Sequence, residues 1–181
     1  DVKSIDRLLE SWLTERIYPK FPKVDVDDFS SRNPANQLIR NLIMPRSCDG
    51  VNLEDTSVFS KQVRLTLLPL DLVEQTDTVG NLSRVEIKEP RNNKRAKEIF
   101  EIFAMPGKEI SLQDKYEKLT SPPYGLNDPM FETLFGIFLQ TTDRYYLIDE
   151  LGGRAIVNAD VLNSVWRKHE LAEVKDAVLY E

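Results

Sequence analysis

The chain has 181 residues, 41% hydrophobic and 30% charged, which suits one folded domain or two small ones sharing a surface and excludes a disordered chain. Its net charge of −6 argues against an indiscriminate nucleic-acid binder, because phosphate binding draws on clustered positive charge. No apolar run approaches the roughly 20 residues a bilayer requires, so no membrane partner is expected.

The sequence begins at Asp1 without an initiator methionine or a basic-then-apolar leader, the expectation for a piece of a larger protein. Cys48 is the only cysteine. An intramolecular disulfide is thereby impossible, which fits a reducing, cytoplasmic setting.

Ser4 reads as the cap of a first helix running to about Ile17, with Ile5, Leu8, Leu9 and Trp12 on one face, before Pro19 and Pro22 break it. After a polar stretch holding Asp25, Asp27 and Asp28, Asn33-Pro34 starts a second helix with a stripe of Leu38, Ile39, Leu42 and Ile43 that Pro45 stops. Residues 46–92 are less regular. Val63, Leu65 and Leu67 alternate like a half-buried strand, as do Val85 and Ile87, with an acidic connection through Glu74, Asp77 and Gly80 between them. Pro90-Arg-Asn-Asn93 reads as a hinge and divides the chain into a helical region with short strands at 1–90 and a second domain at 91–181.

A helix is predicted from Asn93 to Ala104, with Ala96, Ile99, Phe100 and Phe103 inward, ended by Pro106-Gly107. Ser111 and Asp114 form a capping-box-like start for another, with Leu112, Tyr116 and Leu119 inward. Ser121-Pro-Pro-Tyr-Gly-Leu126 cannot be helical: two adjacent prolines remove donors and Gly125 invites a turn. Asp128 is read as the cap of a third helix with Pro129 at its first position, and Tyr124 is expected to pack beneath it. Arg144–Asp149 and Arg154–Val157 flank Leu151-Gly-Gly153 as a hairpin, and a last helix from Asn158 carries Val161, Leu162, Val165 and Trp166. The expected fold class is therefore α+β and helix-rich, with a winged-helix-like C-terminal domain of three helices, a hairpin and an extra helix.

Catalytic chemistry finds little support. His169 is the only histidine and lies near the end of the last predicted helix, where the dipole gives it a sufficient role. Tetrahedral zinc needs more than one cysteine and one histidine. The aspartates at 25, 27 and 28 lack the glycine and distal glutamate of a calcium loop and read as a solvated linker. Gly152-Gly153 lacks the Lys-Ser/Thr of a P-loop. No catalytic residue, metal ligand or cofactor is assigned.

From Arg84 to Lys97 six cations face two acids, a net +4. Arg91, Lys94, Arg95 and Lys97 surround a predicted helix start, where free N–H groups and cations together would hold phosphate. The plainer reading is a solvated charge run paired with acids. A third helix that read the major groove would expose Arg, Lys, Asn or Gln. Between Asp128 and Gln140 the non-apolar residues are Asp128, Glu132, Thr133, Gly136 and Gln140, none cationic, so that helix reads as core and only Arg144 and Arg154 of the hairpin join the DNA-contact candidates.

Leu119-Thr-Ser-Pro-Pro-Tyr-Gly-Leu126, followed by an apolar helix, a hairpin and Val157-Asn-Ala-Asp-Val-Leu162, resembles a winged-helix-like segment of the large P-loop ATPases of bacterial phage-defence systems of the BREX type. The likeness covers roughly residues 93–175, with a fainter one over the opening helix and Ile17–Pro22. It implies a non-catalytic binding or scaffolding module whose partners are other domains or subunits of a parent ATPase, with DNA as the alternative partner. The family's P-loop lysine and metal-binding acid have no counterpart in this chain, and Pro122, Pro123, Tyr124 and Gly125 form its structural turn.

Overall fold

A computed structural model describes residues 2–22, 51–54, 60–61, 63–80, 82–104, 110–142, 146–148, 154–155 and 178–180. The expected helix after Asn33, the last helix from Asn158, the aspartates at 25, 27 and 28, Cys48, Pro106-Gly107, Arg144 and His169 lie outside these residues.

Helix α1 spans Val2–Ile17. It begins before Ser4, which is therefore inside the helix rather than its cap; neither Val2 nor Lys3 opposes helical backbone angles. Its C-terminus falls where Pro19 forbids continuation. The apolar stripe does not reach a core: Ile5, Leu8, Leu9, Trp12 and Leu13 are 46–69% exposed.

A three-stranded antiparallel sheet follows, in the order β1 (Val51–Glu54), β3 (Leu82–Ile87), β2 (Val73–Val79). Val63–Leu67 is a π-helical turn, not the strand its alternation suggested. Leu68 N–H donates to Val63 C=O at 3.0 Å and Leu72 N–H to Leu67 C=O at 3.1 Å, both five residues back. Val63, Thr66, Leu67 and Leu70 are buried and Leu65 is exposed, so the true spacing is helical and Leu65 matched a strand by coincidence. The acidic stretch through Glu74 and Asp77 is likewise no connection: it is β2, which runs into β3 through Gly80 at φ 62°. Gln75 pairs with Val85 but Thr78 with Ser83, so β2 carries one extra residue as a bulge.

Helix α2 (Lys94–Phe103), strand β4 (Ile110–Ser111), helix α3 (Leu112–Thr120) and helix α4 (Asp128–Thr142) come next. Strands β5 (Tyr146–Ile148) and β6 (Arg154–Ala155) pair antiparallel where the hairpin was expected. Strand β7 (Val178–Tyr180), which sequence reasoning did not foresee, lies between β4 and β5 in a sheet ordered β4-β7-β5-β6. The described part of the protein is thus helix-rich α+β.

The α2–α4 boundaries follow from caps. The Asn93 side chain accepts from Arg95 N–H at 3.1 Å and Ala96 N–H at 3.0 Å, satisfying two donors that the first helical turn leaves open. Asn127, not Asp128, caps α4: its Oδ1 accepts from Met130 N–H at 3.0 Å. That shift puts Pro129 one residue further in, still within the turn whose N–H groups have no helical acceptor.

The core is aromatic. Phe103 of α2 meets Phe135 and Phe138 of α4 at 5.3 Å between ring centres and Phe131 at 5.7 Å, and Tyr116 of α3 meets Phe131 edge-on at 5.3 Å. Such tilted and edge-to-face pairs add to the burial gain of each ring. Every residue of α4 from Met130 to Leu139 is buried, including Glu132 and Thr133. Val63, Leu67, Leu72 and Val85 belong to the same cluster of buried residues as α2 and α4, so both sides of Pro90 contribute to it.

Candidate functional site

The turn singled out in the sequence is where α1 joins the helical body. Thr120 closes α3 by returning its hydroxyl to Tyr116 C=O at 2.8 Å. Ser121 C=O then accepts from both Tyr124 N–H (3.0 Å) and Gly125 N–H (3.1 Å), folding the Pro-Pro-Tyr-Gly segment back on itself. Leu126 N–H donates to Leu119 C=O at 2.9 Å and locks the exit towards α4. The Pro122–Pro123 peptide is cis.

Against this turn lies Tyr18-Pro-Lys-Phe-Pro22, the turn that follows α1, closed by Phe21 N–H donating to Tyr18 C=O at 3.0 Å. Lys20 N–H donates to Pro123 C=O at 3.0 Å, joining the two backbones. Gly125 has φ 68°, and a Cβ placed on it would stand 2.7 Å from Tyr18 Cγ, closer than carbon atoms pack. Glycine is needed there twice over, for its backbone angle and for the ring above it. Arg95 of α2 donates from its guanidinium to Phe21 C=O at 2.6 Å.

Three side chains close the clasp. Tyr124 is 5% exposed, and its hydroxyl donates to Glu98 of α2 at 2.8 Å. Lys20 pairs with the same Glu98 carboxylate and lies 5.3 Å from the centre of the Tyr124 ring. Tyr124 is thus buried as expected, but the polar partners of its ring and hydroxyl are Lys20 and α2 rather than α4. The charges explain the protonation states. The bond from Lys20 holds the Glu98 carboxyl below its usual range, and the bond to Glu98 holds the Lys20 ammonium above its own. Burial, then the hydrogen bond to Glu98, raises the Tyr124 phenol. All three keep their ordinary forms at neutral pH, and none is poised to exchange a proton there.

A second junction ties β2 to α2. Asp71, at φ 59°, accepts from Asn92 N–H at 2.6 Å, Arg91 N–H at 2.8 Å and Lys88 Nζ at 2.7 Å. Partial burial alone would raise this carboxyl; the Lys88 bond and the two amides outweigh it and hold the pKa at about 2. Asn93 Nδ2 donates to Pro69 C=O at 2.9 Å alongside.

These junctions bear on the phosphate candidates. The N–H groups of Arg91, Asn92, Arg95 and Ala96, which a phosphate at the start of α2 would use, already meet Asp71 and Asn93. Arg95 is committed to Phe21 C=O. Arg91, Lys94 and Lys97 are exposed. Arg154 falls in β6, away in sequence from that row, and its side chain lies outside the described set. Of the two acids on α4, Asp128 accepts the Tyr116 hydroxyl at 2.7 Å and Glu132 is buried, so neither presents a free carboxylate to solvent.

No cluster of three or more metal-ligating side chains occurs among the described residues. No described helix is long and apolar enough to cross a membrane. Lys115 of α3 is buried, and that burial, with Lys118 adding to it, lowers its pKa. Sequence reasoning missed Lys20, Asp71 and Glu98. Their one signal was the exclusion of helix at Pro19 and Pro22, which leaves a short non-helical segment with two aromatic rings in want of a surface. The chain matches no protein-family model, no curated protein and no solved structure.

Proposed function

We propose that this chain is a non-catalytic binding and scaffolding module of a larger, ATP-dependent protein of the phage-defence type. The observation that carries the reading is the consumption of its polar groups: Glu98, Tyr124, Lys20, Asp71 and Arg95 all hold the chain to itself. The order α2, α3, α4 and then the β5–β6 hairpin favours a winged-helix-like arrangement, with β7 as an addition to its sheet. In that arrangement α4 takes the place of a reading helix, yet its apolar residues are all interior, so the module contacts its partners elsewhere. The exposed stripe of α1 is the surface for it.

The alternative is DNA binding through Arg91, Lys94 and Lys97 with the hairpin, and the exposure of those three cations is its support. Titration of a fluorescent duplex at two salt concentrations separates the readings. No binding at low salt is expected; binding that weakens steeply with salt and disappears in an Arg91→Glu/Lys94→Glu/Lys97→Glu variant would establish the alternative. The parent is tested by the complete reading frame. A Gly-x-x-x-x-Gly-Lys-Ser/Thr motif in the same frame is expected, and a frame without one overturns that part.

A further inference from the structure

We infer that α1 binds α1 of a second copy of this chain, antiparallel, through the stripe of Ile5, Leu8, Leu9, Trp12 and Leu13. This rests on the reading of α1 as the module's binding surface and names its partner.

Between Ile5 and Ile17 every residue is exposed except Thr14, which is half-exposed. Among the described residues nothing buries a face of the helix along that length. A solitary helix of 16 residues is marginal in water, since most helical stability comes from packing an amphipathic face. This one has such a face: residues 5, 8, 9, 12 and 13 fall within one arc at 100° per residue. Its base, in contrast, is firm. The clasp through Tyr18, Lys20 and Phe21 fixes the C-terminal end of α1 to the turn and to α2.

The charges select the occupant and its direction. Arg16 falls within the stripe near its C-terminal end and lies over the Trp12 ring, 5.1 Å from its centre. Asp6 borders the stripe near the other end. Antiparallel pairing about a two-fold axis near residue 11 brings Arg16 of each copy to Asp6 of the other, and packs the Leu9 turn against the Trp12–Leu13 turn. The Arg16–Asp6 contact is then made twice, as an isologous interface requires. Parallel pairing would set Arg16 against Arg16 and crowd two clasped bodies at one end. The antiparallel arrangement puts the bodies at opposite ends of a helix pair about 24 Å long.

Light scattering and sedimentation of the full chain test this across concentrations up to about 1 mM, where even a weak pair with a dissociation constant in the micromolar range is populated. The expected mass rises from 20.9 kDa to twice that value. Leu9→Glu should return it to monomer with an unchanged thermal melt at low concentration, because Leu9 lies outside the core. Arg16→Asp alone should weaken the dimer at least tenfold, and Asp6→Arg/Arg16→Asp should restore it. A monomer at every concentration, or a dimer indifferent to Leu9→Glu, overturns the proposal. So does a double variant that fails to recover, the result parallel pairing would give. The duplex titration reads the module reading separately: a monomer that ignores DNA removes the self-pairing alone.

Discussion

Helices α1 and α4 are both rich in large apolar side chains, and the protein treats them oppositely. In α4 every residue from Met130 to Leu139 is buried, whereas in α1 Ile5, Leu8, Leu9, Trp12 and Leu13 stand in solvent. The difference is one of distribution. α4 is apolar all round and can exist only inside. α1 keeps charged residues on its other faces and is tolerated outside. An apolar pattern thus specifies which face wants cover without specifying who supplies it.

That contrast can be broken most severely at Phe135. Its ring is fully buried and 5.3 Å from Phe103, so Phe135→Ala removes a central piece of the packing between α2 and α4. A loss of about 3–5 kcal/mol is expected in denaturant unfolding. The clasp comes next. Gly125→Ala combines a left-handed backbone angle with the Tyr18 ring, and about 3 kcal/mol should be lost. The companion Tyr18→Ala/Gly125→Ala should cost less than the two single changes together, because the clash is shared. Strict additivity would show that Tyr18 does not sit over the turn.

The Asp71 junction should cost about 2 kcal/mol and should show its sign in acid. The folded carboxyl titrates near 2 rather than 3.8, so its contribution is complete above the unfolded value and drains away as pH falls from about 4 towards 2. Asp71→Asn keeps a residue that accepts φ 59° and removes the charge. Measured from pH 6 down to pH 2, the stability gap between the two proteins should close. A gap that persists at pH 2 would mean the charge is not what holds the start of α2. Asn93→Ala, which loses the cap and the bond to Pro69, should cost about 1 kcal/mol, read from the urea midpoint.

What could be read in advance followed from local rules. The stripe Ala96, Ile99, Phe100, Phe103 and the refusal of Pro122-Pro123 to be helical depend on spacing and missing donors. The pairing of Leu147 with Ala155 and Ile148 with Arg154 falls where short apolar runs were flanked by turn residues, although Gly152 and Gly153 themselves lie outside the described residues. The errors came where distant parts decide. Val63, Leu65 and Leu67 fit a strand or one helical turn equally in sequence, and the fold took the helical turn, burying Thr66 and leaving Leu65 exposed. The acidic content of 74–79 hid β2 because pairing with β3 places Glu74 at an exposed edge. The clasp was the least legible: Lys20 and Glu98 are 78 residues apart, and no spacing rule connects them.

The smallest effect is the most discriminating. Leu9→Ala, measured on dilute and therefore monomeric chain, should change thermal stability by less than about 0.5 kcal/mol, in the same apolar-to-alanine direction that is so costly at Phe135. Leu9 is about half exposed and gives up little area, while alanine favours the helix slightly more than leucine. The change should be felt only on concentration, as a weaker dimer. A loss of about 2 kcal/mol in the dilute chain would instead place Leu9 under cover within its own copy, and α1 would then join α4 as a helix whose apolar face the fold already satisfies.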